Sequence, residues 1–160
     1  MDGDIPKLNC IFLLGPANSG KTLVANSIAR SAIFYSDACN FNGKSSFEFA
    51  PLYNVRCALI NEPMITDATV NTFKNILEGQ SVTVDVKYRE GRKLSKTPIV
   101  ITSNKELVQY VTDQRSHAAA LEARWYKYRM RTFNELAFCA KQLNPLMWLE
   151  YLNKFNLIEE

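Results

Sequence analysis

Histidine is nearly absent from this 160-residue chain, which carries one imidazole, at His117. A site that needs paired histidines therefore cannot be built from it. Cysteine is also sparse: four occur, at positions 10, 39, 57 and 139, and no two form a C-x-x-C pair. Cys10 and Cys57 lie in apolar runs, where a free thiol behaves as a small hydrophobe. Metal binding by cysteine is not expected, nor are disulfides in a reducing compartment.

Long apolar runs are missing as well. None approaches the roughly 20 residues that cross a bilayer, and no charged-then-apolar N-terminal segment indicates secretion. These absences predict an intracellular protein without a membrane segment. The length suits one domain with its own core, and we expect a single unit over residues 1–160.

The most informative segment is residues 15–22, GPANSGKT, which fits the phosphate-binding pattern G-x-x-x-x-G-K-[ST]. Its glycines let successive backbone N–H groups point at phosphate oxygens. Lys21 can place a charge on the β and γ phosphates, and the Thr22 hydroxyl can ligate Mg²⁺. The predicted nucleotide-binding residues are Gly15, Pro16, Ala17, Asn18, Ser19, Gly20, Lys21, Thr22 and Leu23.

The flanking pattern supports this interpretation. An apolar strand is predicted at 9–14 and a helix at 20–32, which is the strand-loop-helix order that a P-loop needs. Thr66 is the expected N-cap of a helix over 67–78, and Gly79 its end. A hairpin is predicted from a strand at 82–88, a turn at 89–92 and a return at 93–96. The other predicted strands are 33–35, 55–60, 98–102 and 125–130, and the other predicted helices are 117–123, 133–143 and 146–155.

Apolar strands that alternate with helices predict an α/β fold with a mostly parallel sheet covered on both faces. Ligands of such folds bind at the carboxyl ends of the strands. Asn61 and Glu62 follow a predicted apolar strand and so lie at its carboxyl end. Glu62 is the candidate for polarising an attacking water, and Asn61 can accept a hydrogen bond from a magnesium-bound water. An exposed glutamate at the start of a loop is the plainer alternative. Asn104 follows another buried strand and can contact both phosphate and water.

Charge is distributed unevenly. Residues 1–80 carry six Lys or Arg against seven Asp or Glu, whereas residues 81–160 carry thirteen against nine. Residues 87–131 hold eleven basic and four acidic side chains. Such clustering suits a polyanion partner, although charge alone slightly favours an ordinary solvated face.

Four segments, in order, resemble superfamily 3 DNA helicases of the AAA+ class: residues 15–22, 59–62 (LINE), 84–87 (VDVK) and 98–104 (PIVITSN). The likeness is greatest to the helicase region of parvovirus and densovirus non-structural protein 1, the replication initiator. It spans roughly residues 9–131 and includes LEGQSVTVDVK at 77–87. The resemblance implies a three-layer P-loop NTPase with a β-hairpin insertion at about 82–97 and a C-terminal helical part at about 132–160.

The resemblance also implies roles for individual residues. Lys21, Glu62, Asn104 and Arg124 would be catalytic, with Arg124 reaching the γ-phosphate in a neighbouring subunit. The cofactors would be ATP and Mg²⁺, the latter near Thr22, Asn61 and Glu62. A surface arginine at a helix end is the alternative for Arg124. The single-stranded DNA contacts would come from Lys87, Arg89, Arg92 and Lys93.

Further expectations follow from where this chain departs from the family. The family usually has two consecutive acidic residues where this chain has Asn61 and Glu62. Glu62 matches the second of them, and the loss of the first puts the rate of hydrolysis in doubt more than nucleotide binding. The paired-histidine nuclease of such initiators cannot reside here. Only eight residues precede the first predicted strand, so we expect an excised ATPase core of a longer protein. The resemblance implies that the longer protein assembles into a hexamer-like ring and acts in the host nucleus.

Two other function classes remain open from the sequence. A P-loop small-molecule kinase has similar size, but the basic stretch predicts a hairpin rather than a lid of paired helices. A non-hydrolysing nucleotide switch or assembly module is kept open by Asn61.

Overall fold

The computed structural model describes residues 8–36, 41–42, 48–86, 89–94 and 96–132. The strands are β1 (Cys10–Leu14), β2 (Ala58–Asn61), β3 (Thr83–Val86), β4 (Arg89–Lys93), β5 (Ile99–Ser103) and β6 (Trp125–Arg129). The helices are α1 (Lys21–Ser31), α2 (Val70–Leu77) and α3 (Gln114–Glu122), with 3-10 turns at Ala50–Leu52 and Leu107–Tyr110. The helices predicted at 133–143 and 146–155 lie outside the described residues.

Four strands form a parallel sheet in the order β2-β5-β1-β6. The registers align the strand ends, since Leu14 lies opposite Ser103 and Asn61 lies opposite Thr102. All five residues of β5 are buried, as expected of a strand with neighbours on both sides and helices on both faces. The carboxyl ends of β1, β2 and β5 therefore meet at one edge of the sheet.

Two cores cover the faces of this sheet. Side chains alternate between faces along a strand, so Phe12 of β1 joins the core that contains Phe73 of α2 and Leu121 of α3. The next residue, Leu13, joins the smaller core on the other face with Ala25 of α1. Full burial of a side chain such as Phe12 stabilises the fold by about 1.5–3 kcal/mol. The predicted α/β fold with helices on both faces of a parallel sheet is confirmed.

The local boundaries bring some corrections. The helix expected at 67–78 begins only at Val70, with Thr69 rather than Thr66 at the N-cap, because Thr66 closes a preceding turn in which its carbonyl accepts from the Thr69 and Val70 N–H groups. Its predicted end at Gly79 is confirmed. Gly79 has φ of 71°, and its N–H donates to the Ile76 carbonyl at 3.0 Å, as in a Schellman motif.

Two other elements differ in extent. The strand expected at 33–35 is reduced to a single parallel bridge between Tyr35 and Cys57. The helix expected at 117–123 starts earlier, at Gln114. Its earlier start follows from Asp113, whose side chain accepts from the Ser116 N–H at 3.2 Å and so caps the helix.

The hairpin is present, but its predicted turn at 89–92 is wrong. Those residues belong to β4, which pairs antiparallel with β3 so that Thr83 lies opposite Lys93 and Val86 opposite Arg89. Because Arg89 pairs with Val86, residue 89 belongs to the returning strand and not to the turn. At its base the Leu94 N–H donates to the Val82 carbonyl at 2.8 Å.

Candidate functional site

The loop between β1 and α1 is shaped by residues with unusual backbone angles. Asn18 and Gly20 have positive φ values of 62° and 79°, a conformation that glycine adopts without strain. Gly15 is required for a different reason: a Cβ there would lie 2.4 Å from the Met130 carbonyl oxygen. No side chain caps the amino end of α1, so its first N–H groups can bind an anion.

Lys21 lies beneath this loop and is buried. Its ammonium donates to the carbonyls of Gly15 at 2.8 Å and Pro16 at 2.7 Å, and to Ser19 Oγ at 3.3 Å. It also donates to Asn104 Oδ1 at 2.9 Å. Lys21 is thus folded onto its own loop and tied to the end of β5.

The pKa of Lys21 is lowered from its ordinary value by burial, and the nearby carboxylate of Glu62 partly opposes that shift. Burial disfavours the charged form because the ammonium loses hydration. An anion bound beside Lys21 would favour the charged form of the lysine.

Glu62 follows β2 in a left-handed conformation, with φ of 47°, which is uncommon for a residue with a side chain. Its N–H donates to the Thr102 carbonyl at 2.8 Å and so holds the backbone against β5. Its Oε2 accepts from the Asn104 N–H at 3.0 Å and from Ser103 Oγ at 3.2 Å. Ser103 therefore orients Glu62, a role that the sequence pattern did not predict. Its position directly before Asn104 could have indicated that it lies at this site.

Asn61 and Thr22 complete the set predicted for magnesium. The Thr102 hydroxyl donates to Asn61 Oδ1 across the parallel pair, and Thr22 is exposed at the start of α1. A hydroxyl, an amide oxygen and the Glu62 carboxylate are hard oxygen donors of the kind that Mg²⁺ prefers. Together with phosphate oxygens they fit that ion. Within the described part of the chain, no cluster of three or more His, Cys, Asp or Glu could hold a metal ion.

These side chains surround one cavity. Its volume is about 430 Å³, within the usual range for a small-molecule site. It is lined by Ala17, Asn18, Ser19, Gly20, Lys21, Thr22, Leu23, Asn61, Glu62 and Asn104. The structure thus brings together the loop, the end of β2 and the end of β5.

Arg124 lies elsewhere. It directly precedes β6, whose first residue, Trp125, is opposite Cys10 at the amino end of β1, whereas the loop follows the carboxyl end. Five residues at about 3.3 Å each separate those ends. The guanidinium pairs with Glu78 and also donates to the Ala120 carbonyl. The structure therefore does not place Arg124 at the cavity of its own chain.

The residues predicted to contact DNA fall on the hairpin. Arg92 and Lys93 are exposed on β4, and Arg89 begins that strand. Lys87 lies outside the described residues. β3 and β4 form a two-stranded sheet of their own, separate from the parallel sheet.

Comparisons with known proteins agree with this architecture. A family model described as parvovirus non-structural protein NS1 matches residues 1–156. Replication protein E1 of human papillomavirus type 16 is 38% identical over 107 residues, which cover 62% of this chain and 16% of that protein. Initiator protein NS1 of Junonia coenia densovirus is 26% identical over 157 residues, 98% of this chain and 28% of that protein.

Among solved structures, a JCV helicase shares the fold with a TM-score of 0.63 at 19% identity, over 83% of this chain and 38% of that one. The chain spans only 16% and 28% of the two viral proteins named above. No helix of the described residues is long and apolar enough to cross a membrane. The family match runs over nearly the whole sequence, so this chain belongs to the parvovirus non-structural protein NS1 family, as its motifs predicted.

Proposed function

We propose that this chain is the ATP-hydrolysing motor of a DNA helicase within a viral replication initiator. The observation that carries the proposal is the chain of hydrogen bonds from Lys21 to Asn104 and from Asn104 to Glu62 along the wall of the phosphate-loop cavity. A cation, an amide and a carboxylate are the groups that bind a γ-phosphate and orient an attacking water.

Each residue has a distinct task in this proposal. Lys21 exchanges its own loop carbonyls for phosphate oxygens when ATP binds. Asn104 donates to the γ-phosphate through its amide, and Glu62 accepts a hydrogen bond from the attacking water. Thr22, Asn61 and Glu62 are the residues that would hold Mg²⁺, which would supply charge neutralisation when bound.

Arg124 serves the neighbouring subunit. It lies at the amino end of the sheet, away from the loop of its own chain, so Arg124 can act on a γ-phosphate only in another copy. A site divided in this way needs self-association, and we propose a hexamer-like ring. Arg124→Ala mixed with Lys21→Ala should be tested for restored turnover, because the two variants complement each other only across an interface.

The β3–β4 hairpin is the proposed contact with single-stranded DNA. Arg92 and Lys93 are exposed, and we assign Lys87 and Arg89 to the same contact. Basic side chains attract a phosphate backbone without reading sequence. The proposed place of this work is the host nucleus.

The experiment is a measurement of phosphate release against protein concentration, with and without single-stranded DNA. We expect turnover per chain to rise with concentration, because the site is shared between subunits, and to rise further with DNA. Lys21→Ala is the inactive control. Turnover per chain that is independent of both protein concentration and DNA would contradict the proposed motor function.

A second candidate, a nucleotide-dependent assembly module that does not hydrolyse ATP, is supported by Asn61. Its amide contributes no negative charge, and its oxygen already accepts from Thr102. Nucleotide binding and assembly without phosphate release at high protein concentration would favour this function.

A further inference from the structure

A buried ion pair joins two parts of the molecule that the proposed mechanism uses separately. Arg124 Nη2 donates to Glu78 Oε1, and the two side chains are only 14% and 7% exposed. Glu78 is the C-cap of α2, and Arg124 follows α3 and precedes β6. The residue proposed to act on a neighbour's nucleotide is therefore held against its own subunit.

Arg124 is only partly satisfied in this position. Its Nη1 donates to the Ala120 carbonyl, yet its Nε is buried without a hydrogen-bond partner. A buried donor without an acceptor is unfavourable. A guanidinium has five donors in a planar fork suited to phosphate, so Arg124 gains partners if it leaves this place for a phosphate group.

Glu78 lies four residues before Val82, which bonds to Leu94 at the base of the hairpin. Gly79 follows Glu78 with φ of 71°, and a Cβ there would lie 2.4 Å from Lys96 Cγ. Lys96 comes just after the hairpin base, where Leu94 bonds to Val82. Gly79 leaves room for the Lys96 side chain to pack against the backbone at this point, so we expect a displacement of the hairpin base to shift Gly79 and the adjoining Glu78.

We propose that Glu78 is a positioning residue that holds Arg124 withdrawn and releases it when single-stranded DNA displaces the β3–β4 hairpin. The inference rests on the proposed motor function and adds the link between DNA and hydrolysis. A guanidinium that shares its charge with a carboxylate stabilises a transferring phosphoryl group less well than a free one. Hydrolysis then stays low until DNA is present.

The test is Glu78→Gln, which keeps the shape and removes the charge, in the full chain at concentrations where it self-associates. We expect turnover without DNA to rise about fivefold or more, the lower end of ordinary allosteric coupling, towards the DNA-stimulated rate of the unaltered chain. KM for ATP should not change, because the ATP-binding loop is untouched. Unchanged or lower DNA-free turnover would overturn the inference.

Glu122→Gln is the matched control. Glu122 also forms an ion pair beside β6, with Lys127 at 2.6 Å, but its side chain is 50% exposed and does not contact Arg124 in that pair. Its DNA-free turnover should equal that of the unaltered chain. An equal rise in both variants would overturn the inference, since general loosening would then explain it.

Glu78→Asp retains the charge on a shorter side chain and should give a DNA-free rate between those of the unaltered chain and Glu78→Gln. If Glu78→Gln does not fold, this variant decides in its place, and an unchanged rate overturns the inference. Arg124→Ala separates the two levels of failure. If Arg124→Ala removes turnover while the Glu78 variants keep normal DNA dependence, only the inference about Glu78 is wrong. If neither the unaltered chain nor any variant hydrolyses ATP, the proposed motor function is wrong as well.

Discussion

Lys21 and Asn104 stand 83 positions apart, yet Lys21 Nζ donates to Asn104 Oδ1 at 2.9 Å. The contact crosses from the start of α1 to the end of β5, which are adjacent because β1 and β5 are parallel neighbours. It engages the Lys21 ammonium and the side-chain oxygen of Asn104. A triphosphate that bound to Lys21 would therefore have to replace hydrogen bonds that the protein already makes.

Removal of the lysine should weaken nucleotide binding. Hydrogen bonds to charged groups contribute about 1.5–3 kcal/mol, so Lys21→Ala should bind ATP about tenfold to hundredfold more weakly. A titration with a fluorescent ATP analogue measures this. Lys105→Ala, at an exposed neighbour of Asn104, is the control and should bind normally; equal affinities in all three proteins would contradict the role of Lys21.

Glu62 should affect the chemical step rather than binding. General base catalysis typically contributes about 10²–10⁴-fold, so Glu62→Gln should lose turnover by a factor in that range while retaining ATP affinity. The check is phosphate release combined with the same titration. Glu106→Gln is the control, at a carboxylate paired with Arg129, and should retain turnover. Normal ATP hydrolysis by Glu62→Gln would show that Glu62 has no role in the chemical step.

Asn61 offers a gain-of-function test. Asn61→Asp restores a second carboxylate next to Glu62 and still accepts from the Thr102 hydroxyl. Carboxylates bind Mg²⁺ more strongly than amides do. Half-maximal hydrolysis should therefore need severalfold less Mg²⁺, as measured by a magnesium titration at saturating ATP. An unchanged midpoint would show that the metal lies away from residue 61.

The hairpin should dominate the salt dependence of DNA binding. Each lost phosphate contact to a single strand lowers the slope of log affinity against log salt by about 0.7. Arg92→Ala should lower affinity and slope together, as measured by fluorescence anisotropy at several salt concentrations. Arg115→Ala, at an exposed arginine of α3, is the control because it removes the same charge. An equal loss of DNA affinity and slope in this variant would indicate that DNA is attracted by the overall charge of the protein and not by the hairpin.

Asp67 makes the stability of the folded protein depend on pH. Hydrogen bonds from the Thr112 hydroxyl at 2.6 Å and N–H at 2.9 Å lower the pKa of Asp67 below its ordinary value. A lowered folded-state pKa stabilises the protein above the unfolded pKa, and this contribution is lost as pH falls through the folded pKa. Asp67→Asn should therefore lose less stability than the unaltered chain between about pH 5 and pH 3, as measured by thermal unfolding.

Much of the candidate site follows from local pattern. The spacing of Gly15, Gly20 and Lys21 requires a phosphate loop, and polar residues directly after apolar strands must lie at one edge of a parallel sheet. The positions of Glu62 and Asn104 were predictable for that reason. The turn of the hairpin and the N-cap of α2 were not, because several polar residues suit each role and long-range pairing chooses among them.

By itself the sequence determined the phosphate loop, the apolar strands, the α/β class and the family, because glycine spacing and hydrophobic period act within a few residues. Only the tertiary structure decided that Lys21 pairs with Asn104, that Ser103 supports Glu62 and that Arg124 is held by Glu78. Such contacts join residues tens of positions apart. They depend on strand register and on which charges are buried together, neither of which is fixed by a residue's neighbours in sequence.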